Sequence, residues 1–282
     1  MSQRRKSIIL DTDYQLTDVI IDKDTMNIYE LNEKLLKEWK SASINNNEQK
    51  GFVPDGILYR GEIIYSDSGF WSRKHGNEGE LWQHSPKRIL FITKDLNDDE
   101  AWDIRSETCR KNHSGENNII IDTSSNFSKN YLYQIYGLGH TTSEKIINYD
   151  DISDKEAIEY FDVSTIARIN VKKQLGDPSI KANVLRKYID KYADLVKQQI
   201  LLLDADIIVS CGSIIFHFIK ENCYNLEKIN DWIYYCCDLN KIIINSWHPA
   251  YYGVSTKDFY NGMIEAYYEF LQSHTNFINP QR

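Results

Sequence analysis

Four short apolar runs, each stopping abruptly at polar residues, constrain the fold most. Ile89-Leu90-Phe91-Ile92 ends in Thr93-Lys94-Asp95, and Thr165-Ile166-Ala167-Arg168-Ile169 ends in Asn170. Ile207-Ile208-Val209 runs through Ser210-Cys211 to Gly212, and Ile242-Ile243-Ile244 runs through Asn245-Ser246 to Trp247-His248-Pro249. A strand that is apolar without alternation has to be covered on both faces, which is the condition of strands in a parallel sheet. Between these runs lie stretches of helical spacing. Leu185, Ile189, Leu195, Val196, Ile200 and Leu203 mark one over 183–203, Ile214 to Lys220 another, and a closing helix spans 257–273. Strands alternating with helices predict an α/β fold with a central, mostly parallel sheet and helices on both faces.

The flanks divide the chain. Residues 1–84 read as an N-terminal extension packed on the core. It holds an amphipathic helix over 24–42 (Ile28, Leu31, Leu35, Leu36, Trp39) and a β-hairpin made of 57–60 and 62–65 turning at Gly61. Phe70, Trp71 and Trp82 are expected to cover a sheet edge. Residues 85–275 form the main domain, with a lid insertion at about 103–160 that includes the Tyr-rich helical piece around Tyr131, Tyr133 and Tyr136. Residues 276–282 are expected to be a frayed tail.

Composition narrows the function. The five cysteines are odd in number and contain no C-x-x-C pair, which argues against a disulfide framework, a zinc knuckle or an iron–sulfur cluster. No metal or cofactor is expected. No apolar run approaches 18 residues and no signal segment opens the chain, so a cytoplasmic protein, not a membrane protein, is expected. The net charge of −8 is awkward for a nucleic-acid partner. A local basic run, Arg168, Lys172, Lys173, Lys181, Arg186 and Lys187, offers either a phosphate footprint or a solvated helix face.

In an open α/β sheet, ligands bind beyond the carboxyl ends of the strands. Those ends carry Asp95 with Asn97, Asn170 and His248. A carboxylate can orient a water or stabilise a cation, an amide can read a heteroaromatic edge, and an imidazole can stabilise a leaving anion. Each residue also has a plain structural use. Asp95 can cap a helix, Asn170 can satisfy turn backbone, and His248 can close a strand.

In order and local wording these stretches resemble the uracil-DNA glycosylase superfamily over roughly residues 85–270. The run 89–97 lies on the family's first motif, Asn170-Val171-Lys172-Lys173 is similar to its Asn-Val-x-Lys strand end, and His248-Pro249-Ala250 is similar to its last motif. The resemblance implies a monofunctional DNA glycosylase fold and activity. Asp95 would position water, Asn170 would read the base, His248 would stabilise the departing base, and Trp102 or Phe127 would stack on it. Lys94, Lys172 and Lys173 would meet phosphates, with Tyr251 and Tyr252 in the DNA-wedging region. The partner would be DNA, bound by a monomer. Thr93 replaces the family's usual Gly and Leu96 its usual Pro. Asn97 stands where uracil-specific members place a Tyr against the 5-position. Branches with Asn-Val-x-Lys usually carry a four-Cys cluster, whose spacing is absent. An open 5-position fits excision of a 5-modified pyrimidine such as glucosylated hydroxymethylcytosine in phage DNA, hence anti-phage defence. Uracil excision in base-excision repair, and a binding module of this fold without turnover, are the alternatives.

Overall fold

The computed structural model describes residues 27–46, 48, 51–65, 71–98, 100–108, 110–112, 119–121, 125–176 and 180–277. In chain order the elements are α1 (Ile28–Asn45), β1 (Gly56–Ile57), β2 (Ile63–Tyr65), β3 (Trp71–Arg73), α2 (Glu78–His84), β4 (Ile89–Thr93), β5 (Leu96–Asn97), β6 (Arg110–Asn112) and β7 (Ile119–Ile121). There follow α3 (Asn126–His140), α4 (Asp154–Val163), β8 (Ile166–Asn170), β9 (Leu175–Gly176), α5 (Ala182–Lys191), α6 (Ala193–Leu203) and β10 (Ile207–Cys211). The last are α7 (Ser213–Asn222), β11 (Glu227–Lys228), β12 (Ile233–Cys236), β13 (Lys241–Ser246) and α8 (Thr256–Ser273).

The four apolar runs become β4, β8, β10 and β13. Every residue of β4, β8 and β10 is buried. They lie side by side in a seven-stranded sheet of order β1-β8-β4-β10-β13-β12-β11. The central four are parallel, and β1, β12 and β11 extend the edges antiparallel. On one face, Ile89, Phe91, Ile166 and Val209 pack against α3, α4 and α8 through Tyr131, Phe161, Phe259 and Tyr267. On the other, Leu90, Ile92, Ala167 and Ile208 pack against α1, α2 and α5 to α7 through Trp39, Trp82, Ile189, Ile200 and Ile219. The α/β class and the helices on both faces therefore hold, with a mixed sheet that is parallel at its centre.

Several local expectations change. The long helix over 183–203 breaks at Tyr192 (φ −116°, ψ 24°) into α5 and α6. The hairpin pairs β2 with β3, while Gly56 and Ile57 join the main sheet beside β8. Gly61 marks a close approach: a Cβ there would lie 2.5 Å from the His75 carbonyl oxygen. The stretch expected as a lid instead supplies α3 and α4. Their Tyr131, Leu132, Ile135, Leu138 and Phe161 are core residues, so this region is a layer of the fold. Within the expected frayed tail, 276–282, Phe277 is buried against Phe270; 278–282, like Phe70, lie outside the described residues. No helix among the described residues is long and apolar enough to cross a membrane.

Candidate active site

Parallel pairing brings the carboxyl ends of β8, β4, β10 and β13 to one rim. Thr93 is in register with Asn170, and Cys211 with Ser246. Alternation along the strands turns Thr93, Arg168, Asn170 and Cys211 to the same face as Phe91 and Ile166, the face covered by α3 and α8.

Asn170 is completely buried. Its backbone is held from below: its N–H donates to Asp55 Oδ2 at 2.8 Å, and its carbonyl accepts from Lys173 Nζ at 2.7 Å. Its side-chain oxygen accepts from the Thr93 hydroxyl. Its carboxamide nitrogen is buried with no hydrogen-bond partner. An unpartnered buried donor costs about 1–3 kcal/mol, so this nitrogen calls for a partner that the described residues do not supply.

Lys173 is not a surface cation, contrary to the expectation that it would meet phosphates. Its side chain is fully buried, bonded to both Asp55 oxygens at 2.6 Å and to Gln199 Oε1 at 2.8 Å, with its ammonium 4.5 Å from the Trp39 ring centre. Lys172 is also committed elsewhere. Its ammonium lies 3.2 Å from Asp95 Oδ2 and donates to the carbonyls of Gln174 (3.2 Å) and Leu175 (2.5 Å). Lys94, half-buried, is the member of the three that stays at the rim, and its charge reaches His248.

The Asp95 side chain is 5% exposed. It lies over the backbone of Gly176, where a Cβ would sit 1.8 Å from Asp95 Oδ2. Gly176 pairs with Asn97, so exposed Asn97 borders the carboxylate while Leu96 turns into the core. The small β5–β9 ribbon thus holds the first motif against the segment that follows Asn170.

His248 follows β13. Its Nδ1 accepts the Ala250 N–H at 3.2 Å, which places the proton of the neutral ring on Nε2. Burial pushes its pKa down to about 4, helped by the positive charges of Lys94 and Arg168. The ring is therefore held in its neutral form, with Nε2–H as its donor. Asn130 Nδ2 donates to the Pro249 carbonyl at 2.7 Å, tying this loop to α3. One turn earlier, the half-buried Phe127 ring lies 5.8 Å from the His248 ring centre. The Arg168 guanidinium sits 4.7 Å from the same Phe127 ring. Trp102 has a different attachment: its indole N–H donates to Asp98 at 2.9 Å in the loop after β5. Beside His248, Trp247, Tyr251 and Tyr252 form a stacked, exposed ladder with ring centres 5.4 and 6.3 Å apart.

Sequence reasoning missed Thr93, Asn130, Glu107 and the place of Arg168. Arg168 was grouped with surface cations, yet it is buried and paired with Glu107 at 2.6 Å. Its signal was its position two residues before Asn170, on the same side of a buried strand. Among the described residues no three His, Cys, Asp or Glu side chains converge as a metal site. Set against known protein families, curated proteins and solved structures, the chain matched no family model, no curated protein and no solved structure.

Proposed function

We propose that the chain is a monofunctional DNA glycosylase, hydrolysing the N-glycosidic bond of a pyrimidine nucleotide flipped out of the DNA stack and leaving an abasic site. The observation that carries this reading is Asn170: a fully buried carboxamide with a free nitrogen, on the rim that also bears a carboxylate and a neutral imidazole. Asn170 would read the base edge and Phe127 would stack on the ring. As the C1′–N1 bond breaks, its electron pair moves onto the base, and the Nε2–H of His248 would donate to the base carbonyl oxygen O2, which gains charge. Asp95, held by Lys172, would stabilise the sugar cation and orient the water whose oxygen adds to C1′. Asp95 would take the proton that this water loses. The exposed Trp247–Tyr251–Tyr252 ladder suits bases beside the flipped nucleotide, because stacking on aromatic rings is indifferent to sequence. The resemblance of the three strand-end motifs to the uracil-DNA glycosylase superfamily supports the same chemistry.

Asn97, small and exposed beside Asp95, supports a margin open to 5-substituents, hence a 5-modified pyrimidine such as that of phage DNA, and a role in defence. The test is mass spectrometry of free bases released from unmodified, uracil-containing and glucosylated-hydroxymethylcytosine DNA. Base release is expected, greatest from the modified DNA, and Asp95→Asn, Asn170→Ala and His248→Ala should each reduce it about 100- to 1,000-fold. No released base from any DNA, or wild-type rates in all three variants, would overturn the assignment.

A further inference from the structure

We propose that Glu107, held by Arg168 and acting with Asn170, selects a base bearing an exocyclic amine, of the cytosine class, over a keto base of the uracil class. This rests on the glycosylase reading above and names its substrate class.

Three buried polar atoms without hydrogen-bond partners cluster on one side of β8: Asn170 Nδ2, Arg168 Nε and Glu107 Oε2. Arg168 and Asn170 are two residues apart on one strand face, about 6–7 Å along the backbone. The other Glu107 oxygen is bonded to Arg168 Nη1 at 2.6 Å, so the carboxylate is fixed where its free oxygen can only accept. The guanidinium is fixed in turn by the Phe127 ring at 4.7 Å, the ring that reaches His248. Phe127 therefore ties the Glu107–Arg168 pair to the rim.

Of these three atoms Arg168 Nε donates, as does Asn170 Nδ2, and Glu107 Oε2 accepts. The selection rests on the last two. A cytosine edge presents an amine that donates and a ring N3 that accepts, which matches both. A uracil edge presents a carbonyl where the amine was and an N3–H where the acceptor was, so it would set acceptor against acceptor and donor against donor. The carbonyl oxygen O2, which His248 would meet, is common to both classes and does not discriminate. A site that leaves its own buried polar groups unpaired against the wrong ligand rejects it strongly.

The experiment compares single-turnover base release from oligonucleotides carrying cytosine, 5-hydroxymethylcytosine, uracil or 5-hydroxymethyluracil at one position, with wild type and Glu107→Gln. The variant keeps an oxygen for Arg168 but replaces the free acceptor by an NH2 donor. Wild type is expected to favour each amine-bearing base over its keto counterpart by about 10-fold or more. Glu107→Gln should lower release of the amine-bearing bases by about 10- to 100-fold and leave the keto bases unchanged or faster. Equal wild-type rates within each pair, a keto preference, or an equal loss on all four substrates in a folded variant would overturn the proposal. Should Glu107→Gln misfold, the wild-type ratio decides. Should no base be released at all, the glycosylase reading fails separately. Affinity for uncleavable 2′-fluoroarabino versions of the same oligonucleotides then decides: tighter binding of the amine-bearing pair, lost in Glu107→Gln, sustains the selection, and equal binding ends it.

Discussion

Replacing Lys173 by Met removes a charge from the centre of the fold while nearly keeping the volume. In the native chain the Lys173 ammonium makes four contacts of 2.6–2.8 Å, to both Asp55 oxygens, the Asn170 carbonyl and Gln199 Oε1. It also lies over the Trp39 ring. Both members of the Lys173–Asp55 pair are fully buried. Removing the ammonium leaves the Asp55 carboxylate with the Asn170 N–H at 2.8 Å and Gln199 Nε2 at 2.9 Å as donors but no counter-charge. Breaking a buried pair in this way costs about 3–5 kcal/mol, a large share of a total near 5–15 kcal/mol. With a urea slope of about 2–3 kcal/mol/M, the unfolding midpoint followed by circular dichroism should fall by about 1–2 M. Adding Asp55→Asn to Lys173→Met removes the stranded charge and should recover about 1 kcal/mol or more. A midpoint unmoved by Lys173→Met, together with a DNA-binding salt slope shallower by about 1, would refute the structural role and restore Lys173 as a phosphate contact.

The remaining predictions concern the rim. His248 has a folded pKa of about 4 against an ordinary 6.5, so between those values the unfolded chain binds more protons; this residue's contribution is complete above pH 6.5 and is lost as pH falls towards 4, by up to about 3 kcal/mol. Urea midpoints of wild type and His248→Ala should therefore diverge in slope between pH 6.5 and 4, and parallel slopes would contradict the buried neutral ring. Gly176→Ala puts a Cβ 1.8 Å from Asp95 Oδ2; the carboxylate has to leave Lys172, and base release should fall about 10- to 100-fold with the far-ultraviolet spectrum unchanged. Unimpaired turnover in that variant would show that the carboxylate position is not used. Tyr252 is 87% exposed, so Tyr252→Ala should leave the unfolding free energy within about 0.5 kcal/mol of wild type; fluorescence anisotropy should show single-stranded DNA binding weakened by about 1–3 kcal/mol, and unchanged affinity would place the strand elsewhere.

What could be read from the chain follows from what each residue needs. Strands buried on both faces leave apolar runs with no phase, so β4, β8, β10 and β13 were legible, and with them the polar residues at their ends. β12 was not, because Ile233-Tyr234-Tyr235-Cys236 is buried only at its two ends and sits beside a strand that already looked complete. The stretch of about 103–160 reads as a lid because its apolar residues show little periodicity. In the fold its Tyr133 is buried with the hydroxyl bonded to Asp154 at 2.8 Å, a partner 21 residues away. Adjacent Lys172 and Lys173 carry the same charge and look alike in sequence, but one reaches Asp95 and the other Asp55. No local pattern reveals this, since Asp55 lies 118 residues from Lys173.

That distant pairing also changes the standing of the N-terminal region. Asn32 in α1 donates to the Asp55 carbonyl at 2.8 Å and accepts from Gln199 Nε2 at 3.0 Å. Gln199 in α6 and Asp55 before β1 then close on Lys173, and together they clamp the backbone of Asn170 from the face opposite its side chain. A base-reading amide works only if its donor and acceptor stay where the edge will arrive, because about 1 Å of misplacement costs on the order of 100-fold. Asn170 has its N–H and its carbonyl both fixed by a buried ion pair, and its side-chain oxygen fixed by Thr93 from the neighbouring strand. Three of its four polar groups are thus spent on holding the fourth still. A helix and an edge strand that read as an appendage therefore supply half of the device that presents the Asn170 nitrogen.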